Sequence, residues 1–214
     1  MRKVIVFEFM SLDGVVQAPS YADEDTSGGF AHGGWHGQYL EERSMKWIVD
    51  TVSSAGGFLF GRRTYEVFAA HWPAASAEEQ ALAQPLNTRP KYVASRTLKA
   101  PLAWQSSTLL DSPIVESVAR LRNENGGNLL VVGSTELAAA LLAHDLVDEL
   151  RLMIDPVILG GGKRFFRDEG ACRRLVLASS EATPTGAIMA TYARSRAEAP
   201  SAPPLPRPPR EPRA

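Results

Sequence analysis

The order of strand-like and helix-like segments predicts an α/β fold. It should be a mixed, mainly parallel sheet with helices on both faces and antiparallel strands at its C-terminal end. Three observations lead there. Short β-branched and aromatic runs alternate with stretches of helical period. Several of those runs end in a tight polar turn that opens a helix. The last two, Leu175-Val176-Leu177 and Ala187 to Tyr192, look like a closing antiparallel pair.

Val4 to Met10 reads as the first strand, broken by the turn Ser11-Leu12-Asp13-Gly14. Residues 17–37 are rich in Gly, Ser, Asp and His and read as a long loop, often a lid or binding loop in compact domains. Tyr39 to Val52 is expected to be a helix with Leu40, Met45, Ile48, Val49 and Val52 near one face, stopped by Gly56-Gly57. Phe58-Leu59-Phe60 is a short buried strand, and Thr64 to Ala70 starts a second helix. Lys91 to Ala94 is a third strand. Ser112-Pro113 offers a helix N-cap followed by proline at the first helical position. Ile114, Val118 and Leu121 carry that helix to Asn125-Gly126-Gly127. Leu129 to Val132 is an apolar strand, Gly133-Ser134-Thr135 opens a helix to about His144, and Leu150 to Leu159 is a strand ahead of three glycines.

One domain is expected over 1–196, followed by a Pro/Arg-rich tail over 197–214 that lacks an apolar period and should be disordered. With 214 residues, 44% of them hydrophobic, the chain can bury a core. Its 23 basic and 24 acidic residues leave a net charge of -1, which gives no electrostatic case for nucleic acid or a membrane surface. The lone Cys172 fits a reducing compartment and reads as a small packed residue. The N-terminus lacks a signal-peptide pattern, and no run approaches the roughly 18 apolar residues of a membrane span. A cytoplasmic protein is expected. His32, His36, His71 and His144 show no metal-ligand spacing.

Three strand-to-turn junctions could carry chemistry: Gly61-Arg62-Arg63-Thr64, Ser95-Arg96-Thr97 and Gly133-Ser134-Thr135. Helix N-termini present unpaired N–H groups and a positive dipole end, glycine lets a ligand approach the backbone, and arginine forks match phosphate oxygens. Each alone also reads as a solvated corner or a helix cap. Together, at the carboxyl ends of strands, they point to a nucleotide with several phosphates. Neither a Walker loop nor a dinucleotide-binding G-x-G-x-x-G is present.

These motifs resemble the dihydrofolate reductase-like superfamily. They are most similar to stand-alone relatives of the reductase (C-terminal) domain of the riboflavin-pathway deaminase–reductase, the RibD C-terminal family. The segments that carry the resemblance are Phe9 to Val16, Leu59 to Glu66, Lys91 to Leu98, Leu130 to Ser134, and Leu146 to Phe166 by way of Leu159-Gly160-Gly161-Gly162. The resemblance implies a three-layer fold, NADPH as cofactor and often a homodimer. It puts Gly61, Arg62, Arg63 and Thr64 on the phosphates, and Ser95, Arg96 and neighbouring Thr97 by the 2′-phosphate. Gly133, Ser134, Thr135 and Glu136, leading into Leu137, lie under the pyrophosphate and nicotinamide side. The turn through Val15 and Val16 flanks the nicotinamide. The family's substrate-gripping carboxylate does not match in spacing: Trp35 is followed by His36-Gly37-Gln38-Tyr39-Leu40-Glu41-Glu42. Folate as substrate is therefore in doubt, and the deaminase half is absent.

Reducing C=N or C=O needs a proton besides the hydride. The candidate donors are Asp13, Glu8, Glu41 and Glu42. Asp13 lies in the turn after the first strand and also reads as a turn residue bonding its own backbone. Glu8 shares a strand face with Val4, Val6 and Met10. If that face is covered its pKa rises; otherwise it is an exposed strand end. Trp35 and Trp72 could line a flat ring pocket or be ordinary core aromatics. The leading function is an NADPH-dependent reductase of a pteridine, an aminopyrimidine or a related compound. The alternatives are a non-catalytic nucleotide sensor and a scaffold working through its Pro-rich tail.

Overall fold

The computed structural model describes residues 1–110, 113–166 and 172–195. Its strands are β1 (Val4–Ser11), β2 (Gly57–Gly61), β3 (Lys91–Ala94), β4 (Ser107–Leu109), β5 (Leu129–Val132), β6 (Glu149–Asp155), β7 (Leu175–Ala182) and β8 (Ile188–Arg194). The helices are α1 (Glu42–Ser53), α2 (Arg62–His71), α3 (Gln80–Thr88), α4 (Ile114–Asn123) and α5 (Thr135–Ala143). One sheet holds all these strands in the order β4-β3-β2-β5-β1-β6-β8-β7. It is parallel from β4 to β6, and β8 and then β7 add in antiparallel fashion.

Side-chain alternation along the strands builds two cores. Val4 and Val6 of β1 join Leu129 and Val131 of β5, packed under Val118 and Leu121 of α4 and Leu137 and Leu141 of α5. Ile5 and Phe7 point the other way and join Phe58, Phe60 and Leu130 beneath Ile48 and Val52 of α1, Tyr65 of α2 and Leu86 of α3. The helices thus cover both faces, as the strand–helix alternation requires. A backbone crossing ties β2 to β5. A Cβ on Gly56 would lie 2.4 Å from Gly127 Cα, and Gly56 N–H donates to Asn128 O at 2.7 Å. Both glycine signals in the sequence are explained by this one approach.

Several expectations change. The helix expected from Tyr39 begins at Glu42, because Gly37–Tyr39 forms a separate 3-10 turn and Glu41 is extended. Ser44, Ile48, Thr51 and Val52 face inward, whereas Met45 is exposed. The strand expected to reach Leu159 ends at Asp155. Pro156 has no N–H for a ladder, and the chain crosses instead to the end of β1, where Leu12 N–H donates to Val157 O. Helix α3 and strand β4 had no sequence signal; α3 holds Pro85 and β4 is three residues long. Buried Lys91 links them: its ammonium donates to the carbonyls of Leu86, Asn87 and Arg89 beyond the face of Trp104. Burial lowers its pKa to about 8. Cys172 is exposed rather than packed. Ser112 and the 197–214 tail lie outside the described residues; the capping position of α4 falls to Pro113.

Candidate active site

The connections leaving β1 and β2 lead to helices on one face of the sheet, while the connection leaving β5 leads to α5 on the other. Since β5 lies between β1 and β2, its carboxyl end is a topological switch point, the place where ligands bind in open α/β sheets. The predicted phosphate motifs end adjacent parallel strands along this edge: Ser95–Thr97 after β3, Arg62–Thr64 after β2 and Gly133–Thr135 after β5.

Two of the loops are tied together. Gly61 N–H donates to Ser134 Oγ at 2.9 Å, and a Cβ on Gly133 would sit 3.6 Å from Thr64. Gly133 and Ser134 both adopt left-handed φ, 57° and 58°. For serine this costs about 1–3 kcal/mol, and such strain concentrates at functional sites. Neither N-cap residue, Gly61 of α2 or Ser134 of α5, makes a side-chain cap hydrogen bond. Arg62 makes an exposed pair with Glu66 at 2.8 Å, and Arg63 and Arg96 are exposed. Ser95 Oγ accepts N–H bonds from Thr97 and Leu98, so its hydroxyl shapes the turn that presents Arg96. Thr135 is half-buried, Glu136 is exposed, and Leu137 is core.

The turn after β1 is a clamp. Asp13 accepts Ser11 Oγ at 2.7 Å and the N–H groups of Leu159 and Gly160 at 3.2 and 3.0 Å. The Ser11 bond first, then the two N–H groups, hold its pKa below the usual carboxylate value. Asp13 is thus held ionised, and its carboxylate ties the end of β1 to the segment after β6. Val15 and Val16 are buried; Val15 bridges Arg164, and Val16 N–H donates to Lys163 O. Gln17 continues the seam with bonds to Asp25 O, Ser27 O and Lys163 N. A cavity of about 440 Å³ opens between residues 27–32 and 159–163.

Glu41 is committed too. Its carboxylate accepts the N–H groups of Arg43 and Ser44, and Ser44 Oγ accepts the Glu41 N–H, a reciprocal cap on α1. Glu42 is exposed in the first turn. Glu8 differs from the exposed strand end it resembled: it is 4% exposed, and its Oε1 has no partner among the described residues. Burial first, then Glu24, raises its pKa to about 8.

The model of the RibD C-terminal domain family matches residues 2–189. The chain belongs to that family. It is 26% identical over 147 residues to the uncharacterized protein YyaP of Bacillus subtilis (strain 168), covering 68% of this chain and 77% of that one. A second Bacillus subtilis (strain 168) relative, the uncharacterized protein YwjB, is 26% identical over 171 residues, 78% and 84% of the two chains. Among solved structures, a putative riboflavin biosynthesis protein from Shewanella sp. PV-4 superposes with TM-score 0.68 at 20% identity, covering 91% of this chain and 99% of that one. A pyrimidine reductase-like protein from Corynebacterium diphtheriae gives 0.60 at 14% identity, covering 92% and 93%. The fold is the dihydrofolate reductase-like one of these RibD-type proteins.

In this RibD C-terminal domain the sequence reading missed one pair. His36 Nδ1 lies 2.7 Å from Asp155 Oδ2, with the residues 3% and 0% exposed. Burial first raises the Asp155 pKa, and His36 opposes the shift. One signal was available: a carboxylate closing the apolar run Leu152-Met153-Ile154, just before Pro156. Trp35 is core, donating Nε1–H to Gln17 O, whereas Trp72 is half-buried against Phe68 and His71.

Proposed function

We propose that this chain is an NADPH-dependent reductase that adds a hydride to a small heterocycle of the pteridine or ribosylaminopyrimidine type. The observation that carries the reading is the row of glycine, arginine and hydroxyl loops on the adjacent carboxyl ends of β3, β2 and β5. Membership of the RibD C-terminal domain family supports it.

The residues fit such a cofactor. Gly61 and Gly133 leave backbone open where two loops meet, and the N-cap residues of α2 and α5 make no side-chain cap bond. Arg62, Arg63 and Arg96 supply the positive charge that a 2′-phosphate requires. The exposed Arg62–Glu66 pair contributes only about 0.3–0.5 kcal/mol, so Arg62 can exchange it for a phosphate bond of roughly 1.5–3 kcal/mol. In this reading Gly61 to Thr64 and Gly133 to Leu137 hold the pyrophosphate side, Ser95 to Thr97 the 2′-phosphate, and the Val15–Val16 turn backs the nicotinamide. The bound cofactor supplies hydride. Glu8 is the sequence-read carboxyl that still carries a proton at neutral pH.

Titration by fluorescence or calorimetry tests the assignment. Arg62→Ala or Arg96→Ala is expected to weaken NADPH about tenfold to a hundredfold and to leave NADH nearly unchanged. Ser134→Ala should weaken both, because it removes the Gly61 link that fixes the shared pyrophosphate loops. Equal wild-type affinity for NADH and NADPH overturns the 2′-phosphate pocket. Tight NADPH binding without turnover across a panel of pteridines and aminopyrimidines favours a sensor.

The proposal includes a cytoplasmic homodimer. Strand β7 is an edge with every residue exposed, Leu175, Val176 and Leu177 among them, and an open apolar edge is a template for pairing. Sedimentation equilibrium should give twice the 23.2 kDa chain mass; a monomer at working concentration refutes it. No helix among the described residues is long and apolar enough to cross a membrane.

A further inference from the structure

We infer that His36, oriented by Asp155, is the general acid of this site and that its Nε2 carries the proton passed to the substrate. This rests on the reductase reading above.

The pair sits where the proposed chemistry is placed. Asp155 ends β6 in register with Ser11, the last residue of β1, at the carboxyl edge of the sheet. His36 reaches it from the 17–37 loop that passes over that edge. Three constraints fix the ring: the Asp155 bond at 2.7 Å, stacking on Phe9 of β1 at 3.8 Å, and a backbone bond from His36 N–H to Pro19 O. A histidine so held presents Nε2 in one direction. Among the described residues Nε2 has no hydrogen-bond partner, although it is fully buried, and neither does Asp155 Oδ1. Buried polar atoms are nearly always paired, so the orphan nitrogen calls for a ligand atom or an ordered water.

The division of labour is that of a carboxylate–imidazole pair. Asp155 holds Nδ1–H and stabilises the protonated ring, and Nε2 gives up the proton. The charged group facing Asp155 is His36 itself. The carboxylates read from the sequence serve otherwise: Asp13 clamps two loops, Glu41 caps α1, and Glu8 lies on the opposite face of β1 from Phe9. The step balances. One hydride from the reduced nicotinamide and one proton from Nε2 add across a C=N or C=O bond. Carbon gains the hydride, nitrogen or oxygen gains the proton, the cofactor is left oxidised, and the ring is left neutral.

The test uses the full chain, NADPH and the panel compound that turns over fastest. His36→Gln is expected to lower the single-turnover rate about a hundredfold to ten-thousandfold and to flatten its alkaline limb, with NADPH affinity unchanged. Asp155→Asn should move that limb. A wild-type rate and pH profile in His36→Gln, or loss of the same limb in Glu8→Gln, overturns the assignment. Should a variant melt early, long-range 1H–15N spectra of the wild-type histidines, with and without NADP+, decide. Nε2 found protonated at the pH where the protein turns over supports the proposal, and Nε2 unprotonated there refutes it. Failure of NADPH to bind overturns the reductase reading by itself, while the spectra of the free protein still decide whether Nε2 holds a proton.

Discussion

Glu8→Gln is expected to make the protein more stable in alkaline solution and to abolish a pH-dependent loss that the wild type shows. In the folded chain Glu8 is buried on the β1 face it shares with Val4, Val6 and Met10, and its pKa rises from 4.5 to about 8. The unfolded chain ionises near 4.5 and the folded chain near 8. Between those values the folded state binds more protons, so stability falls as pH rises through this window and levels off above it. A shift of this size corresponds to something on the order of 5 kcal/mol, a large share of a domain's net stability. Glutamine keeps the shape of the neutral acid and cannot ionise. Thermal melts followed by circular dichroism should agree near pH 5 and diverge by pH 8.5, with Glu8→Gln the more stable. A wild-type melting temperature that stays flat from pH 5 to 8.5 shows that Glu8 is hydrated, contrary to the burial described.

Asp13→Ala is expected to lower stability by about 2–4 kcal/mol, because bonds to a charged acceptor contribute roughly 1.5–3 kcal/mol each and part of the loss is recovered by water. The change frees Ser11 Oγ and the N–H groups of Leu159 and Gly160, which hold the end of β1 against the segment after β6. Because the folded Asp13 pKa is lowered, its contribution is full above the usual carboxylate value and is lost as pH falls through the folded one. Limited proteolysis should cut within 12–17 or 157–164 in the variant and spare the wild type. If Asp13→Ala loses turnover but keeps its melting temperature and protease resistance, Asp13 acts in the chemistry rather than as a clamp.

Much of this was legible in the sequence because it is local. The strands β1, β2, β3 and β5 show as largely apolar runs, since a strand covered on both faces is filled mostly by apolar residues, with Glu8 and Ser11 of β1 and Lys91 of β3 as buried exceptions. The turns after them show as glycine, arginine and hydroxyl clusters, and parallel strands put those turns on one edge without further information. Elements with weak local signals were not legible. Helix α3 contains a proline, and β4 is three residues long and takes its pairing entirely from β3.

The sequence by itself determined the α/β class, the parallel core with its antiparallel close, and the loops at the carboxyl ends of β2, β3 and β5. Hydrophobic period and turn chemistry are written within a few residues of one another. Only the tertiary structure decided what each carboxylate does. Asp13, Glu41 and Glu8 are alike in sequence, yet one clamps Leu159 and Gly160, one caps its own helix, and one is shut away with its proton. The same holds for His36 and Asp155, which are 119 residues apart in the chain and 2.7 Å apart in space. Ionisation and pairing depend on the dielectric and on partners brought together by folding, and neither leaves a pattern in the sequence at short range.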